Sequence, residues 1–186
     1  MNKIKIIALF GESGSGKDTI QKYIIKHMVN TQSIISYTTR PKREYEKDGI
    51  DYHFIDDNQF KDNISQKKML EYTKFRKWYY GTGIDSLSPT KINIGVFNID
   101  GLNILLKDKR LQVAPIYIYA PDKIRLKRSL NREKNPDCVE ICRRFLADKK
   151  DFEKINFPYL TYKNIKSEIT IIEDTFIRVP ELSSWL

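Results

Sequence analysis

The fold is decided by the stretch IKIIALFGESGSGKDT, residues 4–19. Its apolar run Ile4–Phe10 predicts a buried strand, because a parallel strand covered on both faces has no polar side. Glycines follow at positions 11, 14 and 16, and beyond Lys17 apolar residues return at helical spacing, at Ile20, Tyr23, Ile24 and Met28. A strand that passes through a glycine loop into a helix predicts an α/β domain.

The glycine loop has the chemistry of a phosphate-binding site. Residues 11–17 fit the pattern G-x-x-x-x-G-K in the strand-to-helix context that the motif requires. Glycines let successive backbone N–H groups approach phosphate oxygens, and Lys17 reaches the β- and γ-phosphates of a nucleoside triphosphate. A glycine turn that only caps a helix is the alternative. The predicted ATP-binding residues are Ser13, Gly14, Ser15, Gly16, Lys17, Asp18 and Thr19.

Composition bounds the remaining possibilities. The chain has 186 residues, 33 Lys and Arg against 24 Asp and Glu, and a formal net charge of +9, so one folded domain with an anionic partner is expected. Its two cysteines, Cys138 and Cys142, are too few for a disulfide framework. No apolar run approaches the roughly 18 residues that a membrane span needs. These features predict a cytoplasmic protein with no membrane partner.

Further strands and helices are expected after the first unit. Strands are predicted at Ser33–Ser36, 51–55, within 69–80, Ile94–Ile99, Gln112–Tyr119 and Ile169–Ile172. Helices are predicted after a cap at Asp56 or Asp57, over Asp122–Arg132 with Pro121 in the first turn, and from about 138 to Glu153. His27 and His53 have no partner at a suggestive spacing, so both are expected to be structural.

Two later segments resemble the GMP-binding part of guanylate kinases. The matching elements are SYTTRPKR at 36–43, Glu46, GIDYHF at 49–54, Glu71 and YYGT at 79–82. Together with the glycine loop, the resemblance runs with gaps through most of the chain. It implies that GMP is bound by Ser36, Arg40, Arg43, Tyr52, Glu71, Tyr80, Thr82 and Asp100. It also implies that Arg43 takes part in catalysis beside Lys17.

The residue types themselves suit this ligand. Arg40 and Arg43, three residues apart, can fork onto one phosphate, and the hydroxyls of Tyr52 and Tyr80 can add donors. A carboxylate such as Glu71 accepts hydrogen bonds from N1–H and the 2-amino group of guanine, an edge that adenine does not present. Mispairing there would cost about 1–3 kcal/mol per polar contact. Without the surrounding motif, Glu71 would be interpreted as a solvated strand residue.

Three positions depart from the family pattern. The residue after the loop lysine is usually a Ser or Thr whose hydroxyl helps to hold Mg²⁺, but here it is Asp18. The family strand that ends in two aspartates ends here in Asn98 and Asp100, and Asp100 is the expected contact to Mg²⁺, through water. Glu173 stands where the family has an asparagine near the adenine.

Basic residues around the polar stretch 133–137 resemble the lid of these kinases, whose arginines close on the transferring phosphoryl group. Arg132 is the first expected lid arginine. For the second, an ungapped count favours Arg143, whereas counting back from Phe145 favours Arg144. Arg128 lies nearby, and a solvated basic helix face is the alternative for it.

The expected architecture is a P-loop NTPase-type parallel sheet flanked by helices. A core of about 1–34, 82–127 and 154–186 would carry an NMP-binding insertion at about 35–81 and a lid at about 128–153. The resemblance implies transfer of the γ-phosphoryl group of MgATP to GMP or dGMP. The enzyme is expected to be a monomer or small homo-oligomer with no stable nucleic-acid partner.

Three alternatives stay open at the level of sequence. A kinase for another or a broader range of nucleoside monophosphates is opposed by Ser36, Glu71 and Tyr80, which suit a purine base. A catalytically silent guanylate kinase-like binding module is opposed by the intact loop with Lys17. A nucleic-acid-binding protein would rest on the net charge alone.

Overall fold

The computed structural model describes residues 3–44, 46–75, 77–132 and 134–164. Its elements in chain order are β1 (Ile4–Phe10), α1 (Lys17–His27), β2 (Thr31–Ser33), β3 (Tyr37–Thr38), β4 (His53–Phe54), α2 (Asp57–Ser65), β5 (Met69–Phe75), β6 (Trp78–Gly83), a 3₁₀ turn (Ile84–Ser86), β7 (Ile92–Val96), α3 (Ile99–Lys107), β8 (Leu111–Tyr119), α4 (Asp122–Leu130), α5 (Cys138–Phe152) and β9 (Leu160–Lys163).

A parallel sheet of five strands lies at the centre, in the order β2-β7-β1-β8-β9. The central strand β1 pairs with β7 on one side and with β8 on the other, so that Ile7 stands opposite both Ile94 and Ala114. With helices covering the sheet, the predicted α/β class is confirmed.

The two faces of β1 fill two halves of the core. Ile7 and Leu9 pack on one face against Ile20 and Ile24 of α1. Ile6, Ala8 and Phe10 pack on the other face with Leu102 and Leu105 of α3. All of these side chains are almost completely buried, and each large one contributes about 1.5–3 kcal/mol of burial free energy. The continuous apolar run in the sequence reflects this double burial.

A smaller sheet of four strands, in the order β4-β3-β6-β5, is formed entirely between Tyr37 and Gly83. Its β5 and β6 form an antiparallel hairpin, and β3 pairs with both β6 and β4. Helix α2 packs on it through Phe60, whose ring stacks 5.2 Å from that of Tyr79. The N-cap of α2 is Asp56, which shares a reciprocal capping box with Gln59. Of the two predicted caps, the structure selects Asp56.

Several element boundaries differ from the sequence prediction. The second strand is Thr31–Ser33, two residues earlier than expected. The strand predicted to reach Ile99 ends at Val96, because the Asn98 side chain accepts a hydrogen bond from the Gly101 N–H and starts α3. Helix α4 ends at Leu130 and Pro121 is its N-cap residue. The strand predicted at Ile169–Ile172 lies outside the described residues, and β9 was not predicted.

The two histidines pack on tyrosine rings, and the two cysteines are exposed. His27 stacks on Tyr23 at 3.9 Å, and His53 packs 4.7 Å from the ring of Tyr37. Cys138 and Cys142 are exposed free thiols on α5. Within the described ranges, no cluster of His, Cys, Asp and Glu could hold a metal ion by itself, and no helix is long and apolar enough to cross a membrane.

Candidate active site

The phosphate loop connects the buried end of β1 to the first turn of α1. Gly14 and Gly16 take the left-handed conformation, with φ of 77° and 93°, which side chains disfavour. A β-carbon on Gly14 would also lie 2.5 Å from the carbonyl oxygen of Arg125 in α4. The loop therefore needs glycine at position 14 both for its own conformation and for the close approach of α4.

Lys17 is the first residue of α1, and its ammonium group lies over the loop. Its Nζ donates hydrogen bonds to the carbonyl oxygens of Gly11, at 2.8 Å, and Glu12, at 3.2 Å. Burial lowers the pKa of Lys17, and the nearby positive charge of Arg132 acts in the same direction, whereas the negative charge of Asp18 opposes both. The charges of Asp18 and of Arg132, the first expected lid arginine, thus both act on the predicted lysine.

Arg125 of α4 supports the loop, a role that the sequence analysis did not predict. Its guanidinium group is completely buried and pairs with Glu12 at 2.7 Å, Asp122 at 2.9 Å and Asp148 at 3.2 Å. Its Nε also donates to the carbonyl oxygen of Ser13 at 3.0 Å. The spacing of Asp122 and Arg125 on one helix was a readable signal, but their partners in the loop and in α5 were not.

The other end of the loop is held from β9. Asn164, immediately after that strand, donates through Nδ2 to the carbonyl oxygen of Ser15 at 2.7 Å. Arg128 bonds to the same oxygen at 3.3 Å and to the Asn164 carbonyl oxygen at 3.4 Å, so it supports the loop. The Ser15 hydroxyl is buried without a partner among the described residues. Glu173, for which a place near the adenine was considered, lies outside those residues.

On the acceptor side, Glu46 holds the two arginines expected to bind a phosphate. Its carboxylate accepts two hydrogen bonds from Arg40, at 2.7 and 2.9 Å, and one from the backbone N–H of Arg43 at 2.9 Å. Arg40 and Glu46 are both buried. Burial alone would raise the pKa of Glu46, but the hydrogen bonds from Arg40 and Arg43 hold it below its usual value. Glu46 is therefore a fixed anion that orients both arginines.

Two tyrosines stand beside this pair. The guanidinium carbon of Arg40 lies 5.6 Å from the ring centre of Tyr52, and the rings of Tyr52 and Tyr80 are 6.3 Å apart. Burial raises the pKa of Tyr52 to about 12, and the charge of Asp18 adds to this rise. Tyr52 consequently keeps its proton at neutral pH and can donate a hydrogen bond.

A buried carboxylate marks the far end of the acceptor side. Glu71 accepts a hydrogen bond from the Thr82 hydroxyl at 2.8 Å, and Thr82 lies 3.4 Å from the Ser36 hydroxyl. Burial raises the pKa of Glu71 to about 6, although the hydrogen bonds from Thr82 lower it. A β-carbon on Gly101 would come within 2.7 Å of its second oxygen, so glycine in α3 leaves that oxygen room. The predicted trio Ser36, Glu71 and Thr82 is a connected group.

Asn98 and Asp100, at the start of α3, have different surroundings. Asn98 is used by the fold: it caps α3 and donates through Nδ2 to the Thr73 hydroxyl at 3.0 Å. Asp100 is exposed in the first turn of α3, next to Gly101. The position where the family has its first aspartate is thus structural in this chain.

The two candidates for the second lid arginine lie together on α5. Arg143 forms two hydrogen bonds to Glu140, at 2.8 and 2.9 Å, and Arg144 forms one at 2.7 Å. The hydrogen bonds from Arg143 lower the pKa of Glu140 to about 2, against the effect of burial and with further help from Arg144. Both candidate residues are therefore anchored to the same carboxylate.

Comparison with known proteins agrees with this geometry. The family model described as guanylate kinase matches residues 3–176. A guanylate kinase from Sulfurimonas denitrificans is 30% identical over 155 residues, covering 81% of this chain and 75% of that protein. One from Helicobacter hepaticus is 28% identical over 184 residues, covering 96% and 90%.

A solved structure shares the fold. The crystal structure of guanylate kinase from Anaplasma phagocytophilum superposes with a TM-score of 0.67 at 17% identity, over 100% of this chain and 87% of that chain. The family match over most of the chain confirms the resemblance seen in the sequence. The chain belongs to the guanylate kinase family of ATP-dependent nucleoside monophosphate kinases.

Proposed function

We propose that this chain transfers the γ-phosphoryl group of MgATP to GMP or dGMP, giving ADP and GDP or dGDP, through the residues assembled above. The observation that carries the proposal is the buried cluster in which Glu46 holds Arg40 and Arg43 beside two tyrosines. The chain thus combines a phosphate-binding loop with a basic, tyrosine-lined cluster whose side chains suit a second phosphate. Two groups of phosphate-binding residues in one chain suit transfer between two phosphates.

The donor side works through backbone and charge. The N–H groups of residues 13–19 and the ammonium group of Lys17 would bind the triphosphate, and Lys17 would neutralise charge that develops on the transferring group. Arg132 and one of the two neighbours Arg143 and Arg144 would close over that group as parts of a lid at about 128–153. Closure also excludes water and so suppresses hydrolysis of ATP.

The acceptor side works through paired side chains of an NMP-binding insertion at about 35–81. Arg40 has five N–H donors, of which three bond to Glu46 and the Pro41 carbonyl oxygen. The remaining donors, with Arg43 and the hydroxyls of Tyr52 and Tyr80, would bind the phosphate of GMP. By occupying some of the Arg40 donors, Glu46 determines which N–H groups of Arg40 can face the phosphate.

Base selection would rest on Glu71. As a carboxylate it would accept hydrogen bonds from N1–H and the 2-amino group of guanine, while Thr82, whose hydroxyl also lies 3.4 Å from that of Ser36, holds it in place. Adenine offers no such pair of donors at that edge. The enclosed position of Glu71 makes an unmatched base costly, because the buried charge would stay without partners.

Magnesium fits the donor side. Asp18 places a carboxylate next to Lys17 in the first turn of α1, and Mg²⁺ prefers oxygen ligands, typically one or two carboxylates together with substrate phosphates. Asp18 would hold the ion directly, and Asp100 would contact it through water. When bound, the ion would neutralise charge on the β- and γ-phosphates.

The test is ADP formation from MgATP with GMP, dGMP, AMP, CMP, UMP and dTMP offered in parallel, beside a reaction without acceptor. Turnover with GMP and dGMP alone is expected. Turnover with a different acceptor would support kinase activity but contradict the role of Glu71 in selecting guanine. Silence with all six acceptors would contradict the proposal.

A further inference from the structure

One amide of the phosphate loop already has an anionic partner. The Ser13 N–H donates to Asp148 Oδ2 at 2.6 Å, across 135 residues of sequence. This is a short, charge-assisted hydrogen bond. Asp148 comes from α5, the same helix that carries Arg143 and Arg144. Its carboxylate oxygen stands at an N–H of the kind that a phosphate oxygen would use.

The same oxygen is also bound to Arg125. Arg125 Nη2 lies 3.2 Å from Asp148 Oδ2, and the guanidinium group keeps Glu12 and Asp122 as further partners. If Asp148 left the Ser13 N–H, its charge would still face Arg125. The carboxylate therefore has a second partner that makes release from the loop inexpensive.

Asp148 and a bound triphosphate are in direct conflict. An N–H group is a single donor, so it cannot serve a carboxylate and a phosphate oxygen at full strength. The two anions also repel each other at close range. The negative charge of Asp148 acts on Lys17 as well, where it opposes the lowering of the pKa by burial. Asp148 thus faces two of the groups that would bind the donor.

We propose that Asp148 limits the affinity of this chain for its phosphoryl donor by competing with ATP for the Ser13 N–H. ATP binding then displaces Asp148 from the loop, and the carboxylate stays with Arg125. The inference rests on the proposed function, since it assumes that the loop binds ATP.

Asp122 provides a matched control on the same arginine. Its carboxylate lies 2.9 Å from Arg125 Nη1 and pairs with Lys149, also at 2.9 Å. The hydrogen bonds of its side chain are to Arg125 and Lys149, and none reaches the loop. Asp122→Asn and Asp148→Asn each remove one negative charge next to Arg125. Asp148→Asn also replaces the charged acceptor at the Ser13 N–H by a weaker neutral amide oxygen, whereas Asp122→Asn leaves the bond between Ser13 and the Asp148 carboxylate intact. The pair of variants separates competition at the amide from a general change of charge.

The experiment is calorimetric binding of the non-hydrolysable ATP analogue AMP-PNP, with Mg²⁺, to the wild type and both variants, with GMP binding measured in parallel. Asp148→Asn is expected to bind AMP-PNP about tenfold more tightly, with GMP affinity unchanged. Asp122→Asn is expected to stay within about twofold of the wild type. An Asp148→Asn variant that binds no tighter, or an equal gain in both variants, would overturn the proposal.

Two further measurements keep the test decisive. Wild-type protein that binds no AMP-PNP would refute the proposed function itself, whereas wild-type binding with no gain in Asp148→Asn would refute only this inference. Should Asp148→Asn fail to fold, hydrogen exchange of the Ser13 amide in the wild type replaces it. Protection of that amide without nucleotide is expected, and rapid exchange would overturn the proposal.

Discussion

The donor loop and the acceptor cluster are built in different ways. The loop belongs to one continuous stretch, residues 4–27, and stands on strand and helix side chains such as Ile7, Leu9 and Ile20 that are fully buried. Among the described side chains of residues 37–83, the buried ones are Phe60 of α2 and five polar residues: Thr38, Arg40, Glu46, Glu71 and Thr82. The strand and helix beneath the loop are thus held by apolar packing, with Arg125 and Asn164 bonded to the loop itself, whereas the acceptor side is held by matched polar pairs. Loss of Lys17 should therefore harm function, and loss of a buried ion-pair partner on the acceptor side should harm stability.

The largest effect is expected for Lys17→Ala, which tests the donor side. Turnover should fall by about 10²- to 10³-fold, because one positive charge at the transferring group is lost. The apolar core beneath the loop is untouched, so the melting temperature should stay close to that of the wild type. Steady-state kinetics and thermal unfolding followed by circular dichroism measure the two effects. Near-normal turnover in this variant would contradict the assigned role of Lys17.

Glu46→Gln tests the acceptor side, where the expected effect is on the free energy of unfolding. Removing one charge of the buried pair with Arg40 should lower the free energy of unfolding by about 3 kcal/mol. The exposed Glu44 offers a control, and Glu44→Gln should change stability by less than about 0.5 kcal/mol. Urea denaturation gives both values. Equal stability of the two variants would show that the acceptor side does not depend on this pair.

Glu71→Gln tests base selection within the acceptor side. The ratio of kcat/KM for GMP to that for AMP should fall about 10- to 100-fold, because an amide offers one acceptor where the carboxylate offers two. The KM for ATP should change little, since the contacts of Glu71 are to Thr82 and to Gly101 of α3. Paired kinetics with the two acceptors measure the ratio, and an unchanged ratio would remove Glu71 from base recognition.

The same residue links function to stability through pH. Its pKa of about 6 lies above the ordinary 4.5, so the folded state holds the proton more tightly and Glu71 costs stability as the pH rises from 4.5 to 6. Above pH 6 the cost reaches about 2 kcal/mol. Glu71→Gln should match the wild type at pH 4.5 and exceed its stability by up to that amount at pH 7. Urea denaturation at both values measures the difference, which should not appear in Glu44→Gln.

The smallest effect is expected where the two regions meet. Asn98 caps α3 of the core and also bonds to Thr73 in the smaller sheet. Asn98→Ala should cost about 1 kcal/mol, the usual value of an N-cap, whereas Asn98→Asp should retain the cap and most of the stability. A loss of equal size in both variants would contradict the capping role.

Local features were predictable from the sequence because their chemistry is written in neighbouring residues. The strand, loop and helix around Lys17 follow one another in the chain, and the capping pair of Asp56 and Gln59 spans a single turn. The ends of strands and helices were harder to predict. The strand before Asn98 stops early because the Asn98 side chain caps α3, and residue propensities do not reveal that hydrogen bond. The residues expected to bind GMP could be predicted because several short motifs with matching spacings together resemble the guanylate kinase family.

The sequence by itself determined the class of the fold, the phosphate loop and the residue types that suit a guanine nucleotide. Only the tertiary structure decided what holds the loop in place, because Arg125, Asp148 and Asn164 reach it from 112, 135 and 149 residues away. The backbone conformation of a glycine loop follows from local sterics and so can be read locally. The partner of a buried charge depends on which distant helices the core packs together, and no local pattern records that.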